Sequence, residues 1–298
     1  MDIQRIRYFL EVARQKNFTR AANICYISQP SLSQQIMKLE EEVGGTLFLR
    51  SRGSVELTEL GHAFLKHANA IMAEVQTTEA FVLEHQGIAK KTIRFGAVPT
   101  IAPYLIPKVF KRIKQALPEA KLELREDLTA SLVEALRMGD IDFALLSPKT
   151  DADNETDSLL LKKDRLILTL PKDHALTKNQ TVSVEQLRKI QAILLEHTHC
   201  LSMQAASYCE TVGLNSEITI RVSQIETLLG LVESGFGFTF TPEVAIPHHG
   251  HRKVAYQSID ATPYYREIKL YWMRRHVLSR WQTSIIKSLE GFFSQPKI

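Results

Sequence analysis

The sequence predicts a three-part chain: an N-terminal winged helix-turn-helix (all-α with a small wing), a long linker helix, and a C-terminal α/β domain of two lobes. Three observations carry this. Two short helical segments precede a third that opens with the polar residues Gln29, Ser31, Ser33 and Gln34. A proline-free stretch from Thr58 to about Gln86 repeats apolar residues at spacings of four and three. Beyond Gly87 strand-like and helix-like segments alternate, the pattern of a largely parallel sheet covered by helices. At 298 residues the chain is too long for one typical domain. Its 44% hydrophobic and 23% charged residues exclude the disordered, collagen-like and disulfide-scaffold classes.

Residues 1–18 place Ile3, Ile6, Phe9, Leu10 and Ala13 at helical spacing with charges between them. Such a segment reads as a folded helix of a cytoplasmic protein rather than as a signal peptide, and no apolar run reaches membrane-spanning length. Asn17 to Thr19 punctuates the chain, and Thr19 is expected to cap a second helix, RAANICY, whose Ala21 and Ala22 let a neighbouring helix approach. Cys25 in that helix is expected to be a core residue. After a break at Ile27-Ser28, Pro30 suits the first turn of the third helix, which buries Leu32, Ile36 and Leu39 on one face and ends at Gly44-Gly45. Two short β-like runs then flank Arg50-Ser51-Arg52-Gly53 as a wing.

In the long helix, Phe64, Ala68, Ile71, Val75, Thr78 and Val82 form a heptad seam, expected to serve dimerisation; the alternative is packing on its own domain. The next elements are a strand at 92–98, a helix from Pro103 to about Gln115, a strand at 121–127, a helix at 130–139 and a strand at 141–146. A polar stretch at 148–158 interrupts. A second series follows: a strand at 165–171, a helix near Ser183–Leu187 with a capping box, a strand at 192–196, a helix from about Cys200 to Val212, a strand at 217–222, a helix from Ser223 to Glu233 closed by Gly235, and a strand at 237–242. The strand at 266–273 and an amphipathic helix at 279–293 complete the first lobe. The expected domains are 1–58, 59–88 and 89–298, with lobe I at 89–163 plus 266–298 and lobe II at 164–265.

The third helix has the chemistry of a nucleic-acid reader. Gln and Ser at a helix N-terminus reach base edges and phosphates, and the N-terminal N–H groups favour the phosphate backbone. The candidates are Ser28, Gln29, Pro30, Ser31, Ser33, Gln34 and Lys38, with Thr19 and Arg20 for phosphate and Arg50 and Arg52 reaching from the wing. Residues 1–90 carry ten basic and ten acidic residues, so the whole formal charge of +4 lies beyond residue 90. Placement and dimeric presentation, not net charge, must carry DNA affinity.

The run AANICYISQPSLSQQIMKLEEEVGGTLFLR resembles the signature of the LysR-type transcriptional regulators throughout, and the likeness in architecture extends over the whole chain. It implies a periplasmic-binding-protein-like effector domain, usually in homotetramers, and double-stranded promoter DNA and RNA polymerase as partners; no membrane is implied.

The second signal is HTHCLSMQAASYC, residues 197–209. If it is helical, Cys200 sits in the first turn, where the helix dipole and His199 favour a thiolate. Cys209, nine residues on, is then about 13.5 Å along the axis and nearly on the opposite face. A disulfide needs Cα atoms within about 7 Å, so bonding the two requires the helix to unwind. The spacing HCL-x7-C, with P99-T-IAPYLIP and D127-L-T129, is similar to the peroxide-sensing OxyR subgroup. That likeness implies Cys200 as peroxidatic thiol, Cys209 as resolving thiol, Thr100, Thr129 and His199 as polar groups holding hydrogen peroxide, and Arg266 as a further member of that site. Apart from the likeness, Thr100 and Thr129 read as helix caps. The subgroup usually has Arg-Asp after HCL; Ser202-Met203 stands here.

A metal site from His197, His199, Cys200 and Cys209 is disfavoured by histidines at i and i+2, and His248, His249 and His251 read as a polar loop. No cofactor and no metal is expected, and no enzyme. The rivals are a LysR-type regulator responding to a small organic ligand between the lobes, a thiol peroxidase, and a solute-binding protein. The last two leave residues 1–86 without a role.

Overall fold

The computed structural model describes residues 1–51, 54–85, 92–147, 155–214, 218–274 and 278–294. The chain divides into two compact units, Met1–Ala89 with Arg137–Asp140, and Lys90–Leu136 with Ile141–Ile298.

In the first unit, α1 (Ile3–Gln15), α2 (Phe18–Ile24) and α3 (Gln29–Val43) form the helix-turn-helix. The cap of α2 is Asn17, whose Oδ1 accepts the Arg20 N–H at 3.0 Å. Thr19 is therefore not the cap expected of it: the helix begins one residue before it. That helix lies two residues earlier than RAANICY, and Cys25, its C-terminal cap, is half-buried rather than part of the core. Burial and the nearby Glu11 push its thiol pKa up.

The turn after α2 is a Schellman motif. Ile27 N–H donates to Ala22 C=O at 3.1 Å and Tyr26 N–H to Asn23 C=O at 3.2 Å, with Tyr26 in the left-handed region at φ 55°. A side chain there costs about 1 kcal/mol or more, which is why glycine usually occupies the place.

Helix α3 starts on Ser28, whose Oγ accepts the Ser31 N–H, carries Pro30 in its first turn, and ends at Gly44 with φ 80°. Leu32, Ile36 and Leu39 meet Phe9 and Ala22 in the core, as their spacing predicts. The wing is an antiparallel pair, β1 (Phe48–Ser51) with β2 (Ser54–Leu57). It is fastened to α3 by Glu40 Oε1, which accepts the Leu47 and Phe48 N–H groups at 2.8 and 3.2 Å.

Helix α4 (Glu59–His85) is the long helix expected, but most of its stripe is used locally. Ala68 is fully buried, and Phe64, Ile71 and Val75 pack on the same core, with the Phe64 ring 5.0 Å from Phe9. Of the six seam residues only Thr78 and Val82 are exposed. The alternative of packing on its own domain thus holds for the first two-thirds of the seam.

In the second unit, β3 (Thr92–Ala97) lies between β4 (Lys121–Glu126) and β5 (Phe143–Leu146), all parallel, with α5 (Ala102–Ala116) and α6 (Thr129–Arg137) as crossovers. The next strand, β6 (Thr156–Pro171), is 16 residues long and starts nine residues before the run expected at 165–171. The sequence conceals this because Lys162-Lys163-Asp164-Arg165 break the apolar run. A register shift opposite Leu161 also flips the alternation of faces.

The rest of lobe II contains β7 (Thr181–Val182), α7 (Val184–Leu187), β8 (Ala192–Leu195), α8 (Cys200–Thr211), β9 (Ile218–Val222), α9 (Ile225–Glu233), β10 (Thr239–Pro242) and β11 (Val254–Ile259). The chain closes with β12 (Tyr265–Met273) and α10 (Arg280–Phe293). The capping box of α7 is present as expected, on Ser183 and Gln186. Strand β11, whose run VAYQSI lacks clear alternation, has no counterpart in the sequence analysis. The first ten residues of β6 pair with β12 and its last six with β10 and β11. One long strand thus pairs with strands of both lobes.

Candidate functional site

On the helix-turn-helix, Ser28, Gln29, Pro30, Ser31, Gln34 and Lys38 are all exposed, as are Thr19 and Arg20. Ser28 is engaged in capping: its Oγ lies 2.7 Å from Ser31 Oγ. Ser33 is half-buried and accepts Arg50 Nη1 at 2.8 Å. Arg50 also stands 3.7 Å from Glu40 and 4.6 Å over the Phe18 ring. Instead of extending freely from the wing, it folds back on α3. Arg52 lies outside the described residues.

In lobe II, α8 runs unbroken from Cys200 to Thr211, so both thiols lie on one intact helix, both free and both buried. Burial pushes the Cys209 thiol up to about 11. His199 is the N-cap, yet its side chain makes no capping bond. Burial depresses its imidazole pKa, against the opposing pull of Glu196.

Ser202, where the family likeness breaks, is buried and donates to Leu195 C=O at 2.6 Å. Arg221 Nη1, from β9, donates to the same carbonyl and to Ser202 Oγ, each at 3.2 Å. A guanidinium therefore stands beside position 202 although none is encoded there. One turn beyond Cys200, Gln204 crosses to lobe I and donates to Ser147 C=O at 2.8 Å, leaving its own buried Oε1 without a partner.

Arg266 is fully buried. Its Nε donates to Asp164 Oδ2 at 2.8 Å, and Nη1 and Nη2 donate to Thr100 Oγ1 at 3.2 Å and Thr100 C=O at 3.1 Å. The other oxygen of Asp164 accepts the Val244 N–H at 3.0 Å. A fixed cation is thereby held with its charge matched and its fork occupied. Tyr264, whose ring lies 5.5 Å from that of Tyr208, responds to the same charges. Its phenol pKa is raised by burial and is influenced by both Arg266 and Cys200.

Thr100 is not a cap, since α5 is capped at Ile101 without a side-chain bond. Nor does Thr129 make a capping bond: its Oγ1, on the first residue of α6, is buried without a partner. Asp164, Gln204, Arg221 and Tyr264 were not legible as site residues. The only sequence signal of the first three is that charged or amide side chains interrupt otherwise apolar segments, and Tyr264 carries none.

The histidine cluster is not simply a polar loop. His249 is buried, with Nε2 3.1 Å from Tyr104 Oη and Nδ1 3.2 Å from Glu226 in poor hydrogen-bond geometry. Burial lowers its pKa despite Glu226. Among the described residues no group of three or more His, Cys, Asp or Glu side chains is arranged to hold a metal ion. Nor is any described helix long and apolar enough to cross a membrane.

Residues 3–62 match the bacterial regulatory helix-turn-helix protein family of lysR type, and residues 86–290 match the LysR substrate binding domain. The chain belongs to the LysR family. Among LysR-family and related proteins, it is 31% identical over 255 residues to a hydrogen peroxide-inducible genes activator of Haemophilus influenzae, covering 85% of this chain and 84% of that protein. It is 33% identical to the HTH-type transcriptional regulator AlsR of Bacillus subtilis, over 82% of each. In structure it is similar to a full-length OxyR variant from Pseudomonas aeruginosa, with a TM-score of 0.77 and 26% identity, covering 97% of this chain and 94% of that one. The DNA-binding, transcription-regulating architecture of the LysR family thus spans both units.

Proposed function

We propose that this LysR-family regulator senses hydrogen peroxide by a reversible Cys200–Cys209 disulfide and controls oxidative-stress genes. The observation that carries this is the placement of both thiols on one unbroken helix, Cys200 in its first turn and Cys209 nine residues on. In that form they cannot bond, so oxidation must exchange one backbone arrangement for another.

The Cys200 thiolate attacks one peroxide oxygen; the O–O bond breaks, sulfur becomes a sulfenic acid, and the other oxygen leaves as hydroxide and is protonated to water. Cys209 sulfur then displaces the sulfenic hydroxyl, forming the S–S bond and a second water, and a cellular thiol reductant restores both thiols. Thr100, Thr129, His199 and Arg266 are the peroxide-site residues in this reading. Arg266 acts by fixing Thr100, to whose Oγ1 and C=O it donates. The opened α8 changes how effector domains pack and so respaces the DNA-binding heads of a homo-oligomer, a dimer or tetramer, on promoter DNA, where RNA polymerase is the further partner.

The protein works in the cytoplasm in this reading. Its parts are a DNA-binding domain at 1–58, a linker helix at 59–88 and an effector domain at 89–298, with lobe II at 164–265. Free-thiol titration after one equivalent of peroxide tests the proposal. Loss of both Cys200 and Cys209 thiols is expected, and two thiols left intact would end the redox reading. Repeated turnover with a reductant would instead indicate a thiol peroxidase.

A second reading, a small organic ligand between the lobes, is favoured by the buried and unpartnered Thr129 Oγ1 and Gln204 Oε1. Those atoms have the character of groups awaiting a donor or acceptor.

A further inference from the structure

Tyr26 is the residue of the first unit that the fold explains least. It occupies the left-handed position of the Schellman turn between α2 and α3, where glycine is conformationally free and a tyrosine is strained. Such strain is usually repaid by packing, yet its side chain is 95% exposed. Only its backbone N–H serves the turn, and any residue but proline supplies that. Two residues later comes Ser28, and the exposed run Ser28, Gln29, Pro30, Ser31 opens the recognition helix. A helix-turn-helix sets its second helix into the major groove while the preceding helix crosses the backbone, so the turn joining them lies beside phosphates. Tyrosine hydroxyls are among the neutral donors that bind phosphate oxygens.

We propose that Tyr26 is a DNA-contact residue whose hydroxyl donates to a backbone phosphate of the bound duplex and whose ring lies along the adjacent sugar. This inference deepens the DNA-binding role and is independent of peroxide sensing. It also fits the charge balance. With no net positive charge in residues 1–90, neutral donors in fixed places must contribute to affinity.

The test uses the full chain and a fluorescein-labelled duplex recovered by the wild-type protein from a random-sequence pool, with affinity read by anisotropy at several salt concentrations. Tyr26→Phe removes only the hydroxyl and is expected to weaken binding about 10-fold, the effect of one hydrogen bond to a charged group. Tyr26→Gly keeps the turn and relieves its strain. It is expected to melt no lower than wild type while binding more weakly than Tyr26→Phe. The slope of log Kd against log salt should be unchanged in both variants, because no charge is removed. Unchanged affinity in either variant, or a Tyr26→Gly loss that tracks a lowered melting temperature, overturns the assignment. A wild-type chain that recovers no duplex overturns DNA binding itself.

Discussion

Helix α3 begins on Ser28, whose Oγ accepts the Ser31 N–H at 3.2 Å, and helix α8 begins on His199, whose side chain caps nothing. Around α3 the start and stop are local: a cap, a first-turn proline and a left-handed glycine, all within the helix and its flanks. Around α8 the first turns are held from elsewhere, by Ser202 on Leu195, Arg221 on both, and Gln204 on Ser147. A helix that must present a fixed face has its ends encoded in place. One that must open can be started weakly and held by tertiary bonds, which can be exchanged.

The largest expected break of this comparison is Asp164→Asn, which leaves the buried Arg266 without its counter-charge. A loss of about 3–5 kcal/mol is expected, read by urea unfolding of the protein. A loss below about 1 kcal/mol would mean that Arg266 finds another partner. Ser202→Ala should cost about 1–2 kcal/mol through the Leu195 and Arg221 bonds. If α8 must open before the disulfide forms, the same substitution speeds loss of thiols after peroxide by about 5- to 30-fold, followed by quenched-flow alkylation. An unchanged rate would place opening after the slow step. Ser28→Ala should cost about 1 kcal/mol in the thermal unfolding of the DNA-binding unit and leave the rate of thiol oxidation unchanged.

The smallest effect concerns pH. The Cys209 thiol is pushed up to about 11 while α8 is intact. A raised thiol pKa favours the folded form fully below the unfolded value near 8.5 and loses that contribution as pH rises through the folded value. Stability should therefore fall modestly between about pH 8.5 and 11, and Cys209→Ser should flatten that fall in a pH series of urea midpoints. The rate of sulfenic acid resolution sharpens the same contrast. An inflection near 8.5 indicates that Cys209 ionises after α8 has opened; one near 11 indicates that it ionises within the intact helix, before the opening that lets it attack.

The helices, their order, the wing and the parallel core of lobe I were legible because their signals repeat within a few residues. Leu32, Ile36 and Leu39 lie on one buried face as their spacing demands, and Ser183 with Gln186 forms the capping box its sequence spells. Where two residues compete for one local role, the pattern misleads: Asn17 caps α2 and Thr19 does not. A stripe of apolar residues states that a helix buries one face but not against what, so Phe64 and Ala68 fit a partner helix and the domain's own core equally well until packing decides. The length of β6 was hidden for a related reason, since a bulge breaks the alternation by which a strand is recognised.

By itself the sequence determined the helix-turn-helix face, the spacing of Cys200 and Cys209, and thus the conflict between an intact α8 and a disulfide, because periodicity and rise per residue are properties of neighbours along the chain. Only the tertiary structure decided which partners the buried Arg266 and Ser202 meet. Arg266 meets Asp164 across 102 residues and Thr100 across 166, and Arg221 reaches Ser202 from another strand. A buried charge must find its partner wherever the fold brings one, and nothing in local spacing records where that will be.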